Sequence, residues 1–232
     1  MRGIVFDIDD TLYTRQDMIV RAAEIVLGVT VPDPREFIRI YYEKSEFNMS
    51  GLESGKITTR EINGWRYIET FKVLGLPYSP DSGVLAADAY LELQSHMELS
   101  ADLIDLLDRL AGEEDIRMAI LTAGESKHQR NKVIMLGLDK WFNDEDIIVT
   151  GETGYTKPDI TLFRMMEEKL GLDPSSIWMI GDSYKHDIEG ALNAGWHSVW
   201  INRRGVPSPA KAPDIEVSSD SELIKALARV FL

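Results

Sequence analysis

The chain contains no cysteine, which excludes a disulfide framework, a thiolate metal site and a cysteine nucleophile. Basic residues are scarce beside acidic ones: 25 Lys and Arg against 39 Asp and Glu, a net charge of −14. A chain this acidic is repelled by nucleic-acid backbones and anionic lipid surfaces, so neither nucleic acid nor a membrane is an expected partner. No apolar run approaches the length of a membrane-spanning helix. The opening Met1-Arg2-Gly3-Ile4-Val5-Phe6-Asp7 meets an acid too early for a secretory signal. Histidine is sparse too. His96, His128, His186 and His197 have no metal-ligand spacing and read as structural or surface groups. What is left is ordinary globular composition, 44% hydrophobic and 28% charged over 232 residues. It suits a cytoplasmic protein of one domain with a sizeable insertion, or of two small domains.

Short apolar runs that end in polar or glycine-bearing segments read as buried parallel strands. Four are clear: Ile4-Val5-Phe6, Met118-Ala119-Ile120-Leu121, Ile147-Ile148-Val149 and Ile177-Trp178-Met179-Ile180. Ser198-Val199-Trp200-Ile201 is a fifth, and Ile215-Glu216-Val217 a short sixth. Between them lie amphipathic stretches with helix punctuation. Pro158 and Pro174 stand at expected first helical positions, and glycine within Leu-Gly-Leu at 74–76, 136–138 and 170–172 marks three helix stops. Strand alternating with helix predicts a doubly wound, Rossmann-like α/β domain. Its first connection, residues 9–116, far exceeds the dozen or so residues a crossover needs. One helix starting near Ser100 supplies that crossover. Residues 13–98 are then an inserted α-helical domain, with capping-box spacing at Asp33–Glu36 and Thr58–Glu61. The α/β core is therefore expected over 1–12 plus 99–232.

The chemistry-bearing residues fall at the carboxyl ends of these strands, where open α/β sheets bind ligands. Asp7, Asp9 and Asp10 follow the first strand. Two converging carboxylates at a strand end call for a cation or a proton between them. Thr122 follows the second strand, and the Ala123-Gly124 after it suits an anion held by backbone amides. Taken alone, that segment reads rather as a plain Ser/Thr turn capping the helix near Ser126. Lys157 precedes Pro158 at a helix start, where the macrodipole disfavours it. Asp182 and Asp187 follow the fourth strand, although Asp187 also suits a helix cap. Carboxylates suit Mg²⁺, while hydroxyl, amides and ammonium suit a phosphate. The expected partner is a small phosphorylated metabolite. Arg203-Arg204 reads as a solvated pair, 143–146 as a solvated acidic loop, and the aromatics Tyr41, Tyr42, Phe47, Trp65, Tyr67 and Phe71, with Met49, mostly as the core of the inserted bundle.

In Asp7-Ile8-Asp9-Asp10-Thr11, Thr122, Lys157-Pro158 and Gly181-Asp182-(four residues)-Asp187, the sequence resembles the haloacid dehalogenase-like hydrolase superfamily. The resemblance covers roughly 1–12 and 99–205, and the inserted helices match the family's cap in position and size. It implies that Asp7 is a nucleophile forming an aspartyl-phosphate, and that Asp9 is the acid and base serving the leaving oxygen and then water. Thr122, Ala123 and Gly124 would hold phosphoryl oxygens, and Lys157 would balance charge. Mg²⁺ would be held by Asp7, the Asp9 carbonyl and Asp182, with Asp187 in the metal shell or orienting Lys157. The family's dehalogenases lack an acid at the Asp9 position, so the resemblance points to a phosphatase. Asp10 replaces a commoner glycine, and Ala123 stands where many phosphatases have asparagine. Phe6–Tyr13 and Trp200-Ile201-Asn202-Arg203 look similar to the 5′-nucleotidase and small-phosphomonoester branch. A phosphomutase shares the chemistry without a convincing cap signature here. A phospho-receiver domain is much shorter and lacks so long an insertion. A monomer or homodimer is expected.

Overall fold

The computed structural model describes residues 1–45, 57–207 and 211–232. The described residues form two compact units, one of residues 1–13 and 98–232, the other of residues 14–97. In the first, six parallel strands make one sheet in the order β3-β2-β1-β4-β5-β6: β1 Arg2–Phe6, β2 Ile116–Thr122, β3 Ile147–Val149, β4 Ile177–Gly181, β5 His197–Ile201 and β6 Ile215–Val217. The order reverses beside β1, between β2 and β4, and doubly wound sheets place their crevice at such a switch point.

Strand alternation sends Val5 to one face of the sheet and Ile4 and Phe6 to the other. On the Val5 face a buried cluster joins Ala119, Leu121, Ile148, Ile177 and Met179 to Leu162, Phe163, Met166 and Leu170 of the helix Ile160–Leu170 and to Ala191 and Ala194 of the helix Glu189–Ala194. These helices are α7 and α8 in chain order, after α1 Gln16–Leu27, α2 Pro34–Ser45, α3 Thr59–Leu74, α4 Ser82–Gln94, α5 Ala101–Ala111 and α6 Ser126–Met135. On the opposite face α5 packs over β2 and against the last helix, α9 Asp220–Phe231. The crossover expected from Ser100 is α5, whose Leu103, Leu106, Leu107 and Leu110 are buried at helical spacing and whose first turn is capped by the Ser100 side chain.

The second unit comprises α1–α4. Its core gathers Ile19, Phe37, Tyr41, Tyr42, Tyr67 and Phe71, so most of its aromatics are packing groups, whereas Trp65 is exposed. Phe47, Met49 and the segment 48–53 lie outside the described residues. The Thr58–Glu61 capping box is present in both directions, while Asp33 supplies only one half of its own. Helices α3 and α4 approach closely because Gly64 and Gly83 meet; a Cβ on Gly83 would lie 2.4 Å from the Gly64 carbonyl oxygen.

Three local expectations need correction. Pro158 is not the first helical residue: α7 begins at Ile160, because Asp159 caps it by accepting the Thr161 N–H at 2.9 Å. Pro174 opens only a short 3-10 turn, Pro174–Ser176, which runs directly into β4. The 143–146 segment is solvated only over 143–145, which are exposed. Asp146 is buried because Arg117 from β2 reaches it at 3.0 Å and Asn143 donates to its other oxygen.

Gly190 lets α8 lie against α7, since a Cβ there would come within 2.3 Å of the buried Phe163 ring. Gly190→Ala is therefore expected to destabilise the chain by about 1–3 kcal/mol through overpacking. Denaturant midpoints measure this, and an unchanged midpoint would refute the close packing.

Candidate functional site

The carboxyl ends of β1, β2 and β4 bring four of the expected motifs together. The amide of Asp7 still donates to Ile180 O at 2.9 Å, so the residue after β1 is held in the ladder. Lys157, on the loop before α7, reaches under it. Its Nζ lies 2.8 Å from Asp7 Oδ1, 2.5 Å from Asp187 Oδ1 and 3.2 Å from the Leu121 carbonyl oxygen. All three side chains are almost fully buried. A buried ammonium is tolerated when each of its protons finds an acceptor, and here all three do.

Asp187 sits in a π-type turn, Tyr184–Ile188, of a kind common at functional positions. It does not cap a following helix as its position suggested. Ser183 accepts the His186 N–H instead, and Asp187 Oδ2 accepts the Ser183 N–H at 3.0 Å. Gly181 makes room for it: a Cβ there would lie 2.4 Å from Asp187 Oδ2. His186 keeps a structural role, with Nδ1 2.9 Å from the Lys157 carbonyl oxygen.

Asp7, Asp182 and Asp187 each offer a carboxylate oxygen, and these oxygens all lie within 4.8 Å of one another. Burial is the largest influence on Asp7 and pushes its carboxyl up; Lys157 opposes this, Asp187 and Asp9 add to it, and the outcome is about 6. Burial, then the charge of Asp10, pushes Asp182 well above the ordinary carboxylate range, with Arg204 opposing. Burial alone would lower the Lys157 pKa, but Asp187 and Asp7 together hold it above the usual lysine value. Asp7 and Asp187 thus share the one ammonium of Lys157, and Asp182 adds a third carboxylate with Arg204 at 3.5 Å. Such an excess of converging oxygens fits a hard divalent cation.

Asp9 takes a different direction. Its carboxylate belongs to neither the Lys157 cluster nor the three-oxygen group. Lys132 Nζ holds both its oxygens, at 2.7 and 2.6 Å, and Gln129 Nε2 donates to Oδ2 at 3.0 Å. Tyr13 donates its hydroxyl to Asp9 Oδ1. Asp10, in the left-handed region with φ 57°, turns the chain after it.

Thr122 closes β2 with a fully buried hydroxyl that has no hydrogen-bond partner among the described residues. A buried orphan of this kind asks for a ligand atom or a water. Of the two amides expected beside it, that of Gly124 is turned away and donates to Thr150 Oγ1 at 3.1 Å. The Ala123 carbonyl accepts from Gln129 at 2.6 Å.

Sequence reasoning missed Gln129, Lys132 and the arginines. Gln129 and Lys132 stand three apart on α6, a spacing that places them on one face, yet neither carries a motif. Arg203-Arg204 is solvated only in part: Arg204 is exposed, whereas Arg203 is half-buried. Arg203 donates to the Asp10 carbonyl and to Asp220, and Arg204 Nη2 lies 3.5 Å from Asp182 Oδ2. The carbonyl of Asp182 in turn accepts from Trp200 Nε1 at 2.8 Å.

A model of the haloacid dehalogenase-like hydrolase family matches residues 1–195. The N-acylneuraminate-9-phosphatase of Rattus norvegicus is 35% identical over 150 residues, which cover 62% of this chain and 59% of that protein. The chain thus spans less than two thirds of that relative's length. The pyrimidine 5′-nucleotidase PynA of Streptococcus pneumoniae is 26% identical over 99% of this chain and 96% of its own. Among solved structures, the putative HAD-hydrolase YfnB of Bacillus subtilis, bound to magnesium, superposes with a TM-score of 0.70 at 26% identity, covering 97% of this chain and 98% of that one. Among the described residues no helix is long and apolar enough to cross a membrane.

The raised Asp7 pKa has a definite sign in the metal-free protein. A folded value near 6 against 3.8 in the unfolded chain means that the group's contribution to stability is full below pH 3.8 and lost as pH rises through 6. With chelator present, Asp7→Asn should therefore gain urea stability relative to the native chain between pH 5 and pH 7.5. A difference between the two proteins that does not change with pH would contradict this environment for Asp7.

Proposed function

The chain belongs to the haloacid dehalogenase-like hydrolase family, and from that premise we propose that it is a Mg²⁺-dependent phosphatase of small phosphomonoesters that works through an aspartyl-phosphate. The observation that carries the reading is the buried Lys157 bridge between Asp7 and Asp187, set beside the orphan Thr122 hydroxyl. One carboxylate is held by a cation next to a site wanting an anion's oxygen. Relatives named as phosphatases and nucleotidases support the same class.

In this reading an Asp7 oxygen attacks phosphorus. The new O–P bond forms as the P–O bond to the leaving group breaks, and the leaving oxygen takes that electron pair together with a proton from Asp9. Water then attacks the aspartyl-phosphate, giving its proton to Asp9, and releases inorganic phosphate with Asp7 restored. Thr122 donates its hydroxyl to a phosphoryl oxygen. Lys157 keeps the Asp7 carboxylate in place and balances charge on the transferring group.

The donor set fits Mg²⁺: three carboxylate oxygens within 4.8 Å of one another, on side chains whose burial disfavours charge without a cation. Asp7 and Asp182, with the Asp9 carbonyl, would hold the ion, and Asp187 would serve it while orienting Lys157. When bound, the ion would neutralise charge on the phosphoryl oxygens and help orient the ester.

Dehalogenation is the competing chemistry within the family. A halide leaves without a proton, so that reaction has no use for an acid at position 9, and Asp9 favours phosphoryl transfer. The substrate class is a small metabolite of the nucleotide, sugar phosphate or phosphoglycolate type. The unit formed by residues 14–97 is proposed as the cap that selects it, and the chain as a cytoplasmic monomer or homodimer.

Phosphate release from a panel of such esters, with Mg²⁺ and with chelator, tests the proposal. Release is expected to require Mg²⁺ and to fall by at least about a thousandfold in Asp7→Asn, the size of loss typical when a nucleophile is removed. Absence of release from every ester, with folded protein and Mg²⁺ present, would sink the phosphatase reading.

A further inference from the structure

Gln129 and Lys132 are buried to 2% and 3% exposure on the first two turns of α6. Lysine is rarely found so deep, and its burial requires specific compensation. Asp9 supplies that compensation: Lys132 Nζ engages both carboxylate oxygens. Gln129 completes the grip. Its amide nitrogen bridges Asp9 Oδ2 and the Ala123 carbonyl, tying the carboxylate to the end of β2. Gly124, with φ 141°, leaves the room for this, because a Cβ there would come within 2.8 Å of Gln129 Nε2.

The site therefore has two lysines with separate duties. Lys157, on the loop before α7, binds Asp7 and Asp187, and Lys132, on α6, binds Asp9. A buried ion pair contributes little to stability against an apolar pair of similar volume. The Asp9 end of this one is held by further hydrogen bonds from Gln129 and Tyr13, which fixes a direction for the carboxyl group.

The geometry points to Gln129 and Lys132 as positioning residues that hold the Asp9 carboxyl group for proton delivery to the leaving oxygen. The inference rests on the reading of Asp9 as proton donor in a phosphatase. As the P–O bond breaks, the proton passes from Asp9 to the leaving oxygen, and the charge left on Asp9 falls between the Lys132 ammonium and the Gln129 amide.

Esters that need no leaving-group proton separate this role from a structural one. The best alkyl phosphate of the panel needs the proton; 2,4-dinitrophenyl phosphate does not. For Lys132→Met, kcat/KM on the alkyl ester should fall by about a hundredfold, the scale of one general-acid contribution. On the dinitrophenyl ester it should fall by less than about threefold, because that ester bypasses the general acid. Lys132→Arg should recover part of the alkyl activity, and Gln129→Leu should show the same split more weakly. If Lys132→Met does not fold, Gln129→Leu and Lys132→Arg carry the comparison. Equal losses on the two esters, or no loss on either, overturn the positioning role alone. Inactivity of the native chain toward both esters overturns the phosphatase reading, and this inference with it.

Discussion

One ammonium group organises the carboxyl edge of the sheet. Lys157 Nζ is shared among Asp7, Asp187 and the Leu121 carbonyl, so it ties together the ends of β1 and β2 and the turn after β4. Without that charge, two buried carboxylates would face each other across the switch point of the sheet, an arrangement that would force protonation or rearrangement. Much of the local backbone serves this contact. Gly181 has no Cβ because Asp187 lies against it, the π-type turn carries Asp187 inward, and His186 holds the Lys157 carbonyl.

Charge is left over even so. Asp182 joins Asp7 and Asp187 within 4.8 Å, while Arg204 approaches it only to 3.5 Å. In a chain of net charge −14, a phosphate ester would be repelled from such a cluster unless cations reverse the sign locally. The second lysine, Lys132, removes Asp9 from this competition by giving it a counter-ion of its own. The two aspartates two residues apart thus lie in different electrostatic surroundings. That is a prerequisite for giving them different tasks, one to hold a phosphoryl group and the other to move a proton.

The fold was legible because its strands are short apolar runs that stop at acids and glycines, and because the 9–116 connection is too long for one crossover. The helix stops at Gly75, Gly137 and Gly171 were equally plain, since each glycine adopts the left-handed conformation that ends a helix. The acids and Lys157 could be found in the sequence because each follows a strand or precedes a helix in a fixed order. Other features depended on tertiary placement. Gln129 and Lys132 look like any polar residues of a surface helix until α6 is seen to turn them toward Asp9. Arg203 and Asp146 read as solvated because their partners, the Asp10 carbonyl and Arg117, are distant in the chain. Pro158 misled because a proline signals a helix start only to within a residue or two, and the cap fell on Asp159.

The central claim is that Asp7 becomes covalently phosphorylated during turnover. Native chain turning over 2,4-dinitrophenyl phosphate with Mg²⁺ can be quenched rapidly in acid and its peptides weighed by mass spectrometry. The account predicts one phosphoryl group on the peptide bearing Asp7, absent with chelator and absent in Asp7→Asn. Phosphate released at full rate with no phosphoryl group on Asp7 at any quench time would contradict it and point to direct attack by water.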